Sequence, residues 1–261
     1  NEININENKP IIILLDVMNI DYTPYTPYIK GLGGTQICYI NLALELTKQY
    51  NVIILNKKES NDIILCNNIY TIKYDTFENM LLYINNINPK IIIYNNIEIG
   101  PKIKSFLNEK ILLYMYEHIC VYSHFDLKQK QDYYNYYDKL IFVSETQKKE
   151  YEKYCKLNTN KITILNNALS PIYYYNNIEG NILKQKELSI IYCSNPQRGL
   201  ECFIHIFPKL RELYPNITLK ICSSLDLYDI EDGDYEKNLY KDLCAMEGVI
   251  YYGSVDQITL K

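Results

Sequence analysis

The strongest constraint on the fold of this 261-residue chain is a series of short apolar runs that recur at regular intervals. Residues 11–17 (IIILLDV) form a continuous apolar run, and 51–55 (NVIIL), 90–94 (KIIIY), 110–116 (KILLYMY), 139–144 (KLIFVS) and 161–165 (KITIL) are further apolar-rich segments that read as strands. Runs of this length suit strands, and unbroken apolarity means that both faces of the strand are buried. Shorter strands are expected at residues 63–66 and 69–73. Helical spacing fills the gaps at residues 35–49, where Ile37, Ile40, Ala43 and Leu44 share one side, and at 77–87, 102–108 and the charged 145–156. A polar, tyrosine-rich segment at 129–138 is compatible with a further helix. Strands alternating with helices build βαβ units, so the expected class is α/β with a mostly parallel, doubly wound sheet. Such sheets bind ligands beyond the carboxyl ends of their strands.

The alternation lapses over residues 169–187, a polar stretch with Pro171, Gly180 and consecutive tyrosines at 173–175, and then restarts. The expected organisation is a Rossmann-like domain over residues 1–168, a crossing at 169–187 and a second Rossmann-like domain at 188–261. The second opens with a strand at Ser189, Ile190, Ile191 and Tyr192, then a turn, then a helix whose apolar face is Leu200, Phe203, Ile204, Phe207 and Leu210. A strand at 217–222, an acidic loop, a helix at 235–246 and a strand at 248–253 complete it. Three strands and two or three helices are few for a closed α/β domain, and residue 1 is Asn rather than Met. The expectation is therefore an excised piece of a longer protein.

Composition narrows the function classes. A formal charge of −4 argues against a nucleic-acid binder, whose electrostatic footprint is basic. No apolar run approaches the roughly 20 residues of a membrane span, and the N-terminus lacks the zones of a signal peptide. The eight cysteines (Cys38, Cys66, Cys120, Cys155, Cys193, Cys202, Cys222, Cys244) include no CxxC pair and are expected to be buried and reduced in a cytoplasmic protein. Three scattered histidines without further ligands at suitable spacing leave no metal site to expect. The 28 tyrosines and absent tryptophan point to an AT-rich source and say little about chemistry.

Three places carry candidate chemistry. In the turn after residue 192, Asn195 and Pro196 supply turn geometry, Gly199 permits close approach and Arg198 adds a planar charged fork beside a helix N-terminus. That is a seat for a phosphate; the alternative is an ordinary βα turn with a solvated arginine. Gly31, Gly33 and Gly34 lie between the first strand and first helix, but GxGxxG is incomplete because Gln36 takes its last place, and no Walker motif is present. Anion binding at this loop and a simple helix start both remain open. His118, after Glu117 at a strand end and six residues before His124, suits proton transfer or a hydrogen bond to a sugar hydroxyl, as well as plain packing. His205 is expected to be structural or exposed, and the acidic residues 229–234, lacking EF-hand spacing, to form a solvated loop. No GxSxG elbow supports a hydrolase.

Together these stretches resemble the GT-B glycosyltransferases, specifically the retaining family-four group. Gly33-Gly34-Thr35-Gln36 with Asn41-Leu42-Ala43-Leu44-Glu45-Leu46 is similar to that group's "GG(A/T)E…NLAxEL" opening, and Val143-Ser144-Glu145 to its "VSE" strand end. Residues 161–168 resemble "KIxVIPNGV", residues 192–200 the "SSPxRGL" variant of the donor-phosphate turn, and 248–255 "GVxxxGxV". The motifs follow the family's order across nearly the whole chain. The resemblance implies two Rossmann-like domains facing a cleft and transfer of a sugar from a nucleotide donor of UDP or GDP type to a glycan, lipid or protein acceptor, with retention and without a metal. It implies that Arg198, with Ser194, Asn195 and Gly199 of its turn, meets the donor diphosphate, with Gly33 and Gly34 closing over it. It places His118 by the donor sugar as the catalytic residue and Gly253, Ser254 and Val255 near the base. It also implies no nucleic-acid partner, leaves peripheral membrane contact open, and gives no oligomeric state.

The chain departs from the pattern at four places. Cys193 stands where an arginine is common, Asn167 replaces the glycine of "NG", Ile119 stands where an aspartate often follows the histidine, and the family's paired-glutamate segment would lie past Lys261. The rival reading is a non-catalytic Rossmann-like binding or scaffold module with a degenerate or missing donor site.

Overall fold

The computed structural model describes residues 3–58, 62–120, 131–170, 173 and 188–261. The chain forms two compact units, one of Asn1–Pro24 with Gly34–Ala168 and the other of Tyr25–Gly33 with Leu169–Lys261. Most of the expected crossing lies outside the described residues, as does His124.

The first unit holds an eight-stranded sheet of order β3-β4-β2-β1-β5-β6-β7-β8. Its strands are β1 (Ile11–Asp16), β2 (Asn51–Lys57), β3 (Ile63–Cys66), β4 (Ile69–Tyr74), β5 (Ile91–Tyr94), β6 (Leu112–Glu117), β7 (Lys139–Phe142) and β8 (Ile162–Ile164). All neighbours pair in parallel except β3 and β4, which form an antiparallel edge hairpin. Its turn, Asn67-Asn68, has φ of 52° and 61°, left-handed values that asparagine tolerates and that match the strand twist. Residues 12–16 of β1 and 52–56 of β2 are buried without a break, as the apolar runs require.

Helices α1 (Gly34–Leu46), α2 (Phe77–Ile87), α3 (Gly100–Phe106) and α4 (Glu145–Tyr154) connect these strands. The Thr76 side chain caps α2 by accepting from Asn79 N, and Ser144 caps α4 by accepting from Gln147 N. The face of α1 differs from expectation. Its buried residues are Gln36, Tyr39, Ile40 and Ala43, so Ile37 and Leu44 lie towards the margin. A buried hydrogen bond from Gln36 outweighs the apolar spacing there.

The second unit has a parallel three-stranded sheet of order β11-β10-β9, made by β9 (Ser189–Tyr192), β10 (Thr218–Ile221) and β11 (Val249–Tyr251). Helices α5 (Phe203–Leu213) and α6 (Asp234–Cys244) pack on one face, and a short α7 (Gln257–Leu260) follows β11. Leu200, Phe207, Leu219, Ile221, Leu239 and Leu243 form its core, with Phe203, Ile204 and Leu210 packed against them, so the expected helix face is the buried one. The α5 N-terminus departs from expectation, since a 3-10 turn at Leu200–Cys202 intervenes between Gly199 and the helix. The cysteines also differ. All eight are free, yet only Cys155 is buried, while Cys120, Cys193, Cys202 and Cys244 are exposed, because strand ends and outward helix positions hold them. Among the described residues, no helix is long and apolar enough to cross a membrane.

Candidate functional site

In the first unit the carboxyl ends of the central strands bring together polar groups that the apolar interior cannot absorb unpaired. Asp16 ends β1 fully buried. Its Oδ2 accepts from Gln36 Nε2 at 2.8 Å and from Tyr22 Oη at 3.1 Å, while Oδ1 accepts from Met18 N at 2.9 Å. Tyr74 Oη donates to the Asp16 carbonyl at 3.1 Å. Burial raises the Asp16 carboxyl above its usual range, and these three donors pull it back. No sequence motif marks this cluster. Its signal was a lone aspartate closing an otherwise apolar run.

His118 leaves the end of β6. Its loop is pinned by side chains: Ile119 N donates to Glu117 Oε1 at 2.9 Å, and the Ile119 carbonyl accepts from Gln147 Nε2 at 2.9 Å and Tyr151 Oη at 3.1 Å, both from α4. The imidazole lies 4.1 Å from the Tyr116 ring and 6.4 Å from that of Tyr39, measured between centroids. Its Nε2 is buried without a hydrogen-bond partner. Burial among these rings lowers its pKa to about 4, so the ring is neutral at pH 7. A neutral imidazole can accept from or donate to a hydroxyl, and this one is held rigidly with one nitrogen unused.

In the second unit the turn after β9 is tied from two sides. Ser223, one residue past the end of the β10 ladder's Cys222, donates from Oγ to the Ser194 carbonyl at 2.6 Å. Tyr192 Oη donates to the Asn195 carbonyl at 2.7 Å, and Asn195 Oδ1 accepts from Gln197 N at 2.9 Å. Tyr251 Oη of β11 donates to the Ser223 carbonyl at 3.0 Å. Pro196 is buried and Arg198 exposed, so the guanidinium stands at the surface on an immobilised turn. Gly199 adopts φ of +89°, a left-handed value costly for any residue with a Cβ.

The glycine loop before α1 divides at the unit boundary, Gly33 belonging to the second unit and Gly34 opening α1 in the first. Within the second unit, Gly31 packs so closely that a Cβ there would collide with Ser254 Oγ and Leu227 Cδ2 and lie 3.1 Å from the Val255 carbonyl oxygen. Lys30 Nζ pairs with Asp229 at 2.9 Å. Gly253, with φ of +70°, turns the chain after β11 into Ser254 and Val255. The acidic loop is more ordered than its composition led us to expect. Asp232 accepts from Ser224 Oγ and Leu225 N, both at 2.8 Å, and buried Glu236 accepts from Gln197 Nε2 at 3.0 Å. His205 is exposed on α5.

The second unit thus gathers Ser194, Asn195, Arg198 and Gly199 on one turn, and Ser254 and Val255 beside Gly31. The first holds His118 and the Asp16 cluster.

No protein-family model matches the sequence, and no curated protein matches it either. Solved structures do. The lipopolysaccharide outer core galactosyltransferase WaaB in its apo form is 14% identical with a TM-score of 0.53, over 93% of this chain and 68% of that one. A trehalose-6-phosphate protein from E. coli bound with UDP-2-fluoro glucose is 12% identical with a TM-score of 0.60, over 92% and 73%. UDP-GlcNAc 2-epimerase from Neisseria meningitidis bound to UDP-GlcNAc is 9% identical with a TM-score of 0.60, over 96% and 74%. At these identities the likeness establishes the fold, which is α/β of the glycosyltransferase GT-B type with two Rossmann-like sheets.

Proposed function

We propose that this chain is the nucleotide-sugar-binding body of a retaining glycosyltransferase, passing a sugar from a UDP- or GDP-linked donor to a glycan, lipid or protein acceptor in the cytoplasm. The observation that carries the reading is the immobilised turn at residues 194–199, with an exposed Arg198 on a carboxyl strand end. Cleavage of the glycosyl–phosphate bond leaves negative charge on the diphosphate. A planar guanidinium and oriented main-chain N–H groups, held before the reaction, stabilise that charge without a metal. Gly199, at φ of +89°, lets the backbone come close to the phosphates, and Gly33 and Gly34 at the start of α1 are assigned to the same diphosphate. Ser254 and Val255, with Gly253, are assigned to the base. His118, neutral and with an unused nitrogen, is assigned to a hydroxyl of the transferred sugar. Retention by front-face attack asks for no protein nucleophile.

A second reading is a nucleotide-sugar epimerase, because one structural neighbour is a 2-epimerase bound to UDP-GlcNAc. Both readings share donor binding. Thermal-shift titration with UDP, GDP and ADP tests that shared part, with stabilisation by UDP or GDP expected. A chain indifferent to all three refutes it and returns the reading to a scaffold module. Supplying UDP-sugars with and without acceptor glycans then separates transfer from epimerisation by the sugar product.

A further inference from the structure

Neighbouring strands β9 and β10 pair in parallel with Tyr192 opposite Ile221, and the ladder runs on, Cys222 N donating to the Tyr192 carbonyl at 2.8 Å. The next residue on each strand is therefore a cysteine facing a cysteine, Cys193 opposite Cys222. Side chains alternate along a strand, and both fall on the face with Ile191 and Lys220, opposite the α5–α6 side. Cys193 is exposed, and half-buried Cys222 lines an open groove with Ser189, Ile191, Lys220 and Tyr252. The two thiols are close enough to perturb each other. In-register residues on adjacent strands sit about 4.8 Å apart, inside the roughly 4.4–6.8 Å Cα range that disulfides span.

We infer that Cys193 and Cys222 form a reversible disulfide that controls the turn at residues 194–199. Both cysteines immediately precede the residues that fasten this turn, Ser194 and Ser223. Closure ties together the two strand ends from which the turn is fastened, Cys193 beside Ser194 and Cys222 beside Ser223. A cross-link with an exposed sulfur is open to reduction by thiols, as a switch requires. The oxidant is a low-molecular-weight disulfide such as oxidised glutathione. The Cys222 thiolate attacks one glutathione sulfur and releases one reduced glutathione. The Cys193 thiolate then attacks the Cys222 sulfur of the mixed disulfide and releases the second. The two thiol protons pass by way of solvent to the two departing glutathione thiolates, and two electrons reduce one glutathione disulfide. Partial desolvation of the thiol, with the facing Cys222, pushes Cys193 up to about 11, and partial burial raises Cys222, so exchange quickens as pH rises towards that range.

The cross-link stands independently of the proposed function; its control of donor binding rests on that reading. The test incubates the folded chain with oxidised glutathione and digests it without reductant. Mass spectrometry is expected to find the peptides of Cys193 and Cys222 joined, with two hydrogen masses lost, reversed by dithiothreitol and absent in Cys193→Ser and Cys222→Ser. Exposed Cys120, Cys202 and Cys244 serve as internal controls that take up glutathione singly. Stable glutathione adducts on both Cys193 and Cys222 overturn the inference. So does failure of the folded, reduced chain to bind phenylarsine oxide, a probe of adjacent thiols, at a site both variants lose. For control of binding, the oxidised chain should show less than half the UDP-induced melting shift of the reduced chain. Equal shifts refute the control, and no shift in the reduced chain removes the donor reading and the control with it while the cross-link is judged on mass alone.

Discussion

Replacing His118 by Phe separates the energetic cost of an imidazole kept neutral from everything else that titrates in this fold. The ring's pKa falls from 6.5 to about 4 because it is buried beside Tyr116 and Tyr39. Below 6.5 the unfolded chain therefore binds a proton that the folded chain refuses. Stability is full above that value and is lost as pH drops towards the folded one. Working the two binding curves between about pH 7.5 and about pH 5 gives a loss of about 2 kcal/mol from this residue alone. Other groups, the raised Asp16 carboxyl among them, add their own pH dependence, so the difference between wild type and His118→Phe is the informative quantity. Phenylalanine keeps the aromatic packing and cannot take up the proton. Urea denaturation followed by circular dichroism at both pH values should show the wild type losing about 2 kcal/mol more than the variant. Equal losses would mean that the imidazole titrates normally, and that the pinned loop does not bury it as described.

Further substitutions probe the other parts of the account. Gln36→Leu removes a donor from buried Asp16 and should cost about 1–3 kcal/mol in urea denaturation. Because the Asp16 carboxyl is already raised and would rise further, that cost should be largest at alkaline pH and shrink as the carboxyl protonates; a pH-independent cost would contradict the cluster. Gly199→Ala places a Cβ at φ of +89° and should destabilise the second unit by about 1–2 kcal/mol, with no loss expected if the turn is freely adjustable. Gly31→Ala forces a Cβ against Ser254 and Leu227 and should cost about 1–3 kcal/mol. Adding Leu227→Ala should then cost less than the sum of the single changes, whereas strict additivity would argue against the contact.

Local signals were legible where one physical demand dominated. The continuous apolarity of residues 11–15 and 52–55 announced central parallel strands, and residues 77–87 read as a helix from their spacing, which the Thr76 cap in the structure completes. The α1 face was misjudged because a polar side chain, Gln36, is drawn inward by a carboxylate 20 positions earlier. Spacing rules count apolar residues and cannot see that partner. The helix after Arg198 was read one 3-10 turn too early, since Leu200 continues the apolar face of α5 without sharing its backbone geometry. In the acidic loop, composition indicated solvent, but Ser224 and Leu225 N supply donors that order Asp232. Contacts that depend on register or on distant segments were invisible. Gly31 meets Ser254 across most of the chain length, and Cys193 faces Cys222 only because β9 and β10 pair as they do.

The central claim is that the turn at residues 194–199 receives a nucleoside diphosphate through Arg198. Isothermal titration of UDP and GDP into the wild type and Arg198→Ala tests it most directly. The exposed guanidinium supports no core contact, so both proteins should melt alike. The wild type should bind one of the two ligands, and Arg198→Ala should bind it at least tenfold more weakly, consistent with the loss of about 1.5–3 kcal/mol for a charge-assisted hydrogen bond. Equal affinity in the two proteins would contradict the account.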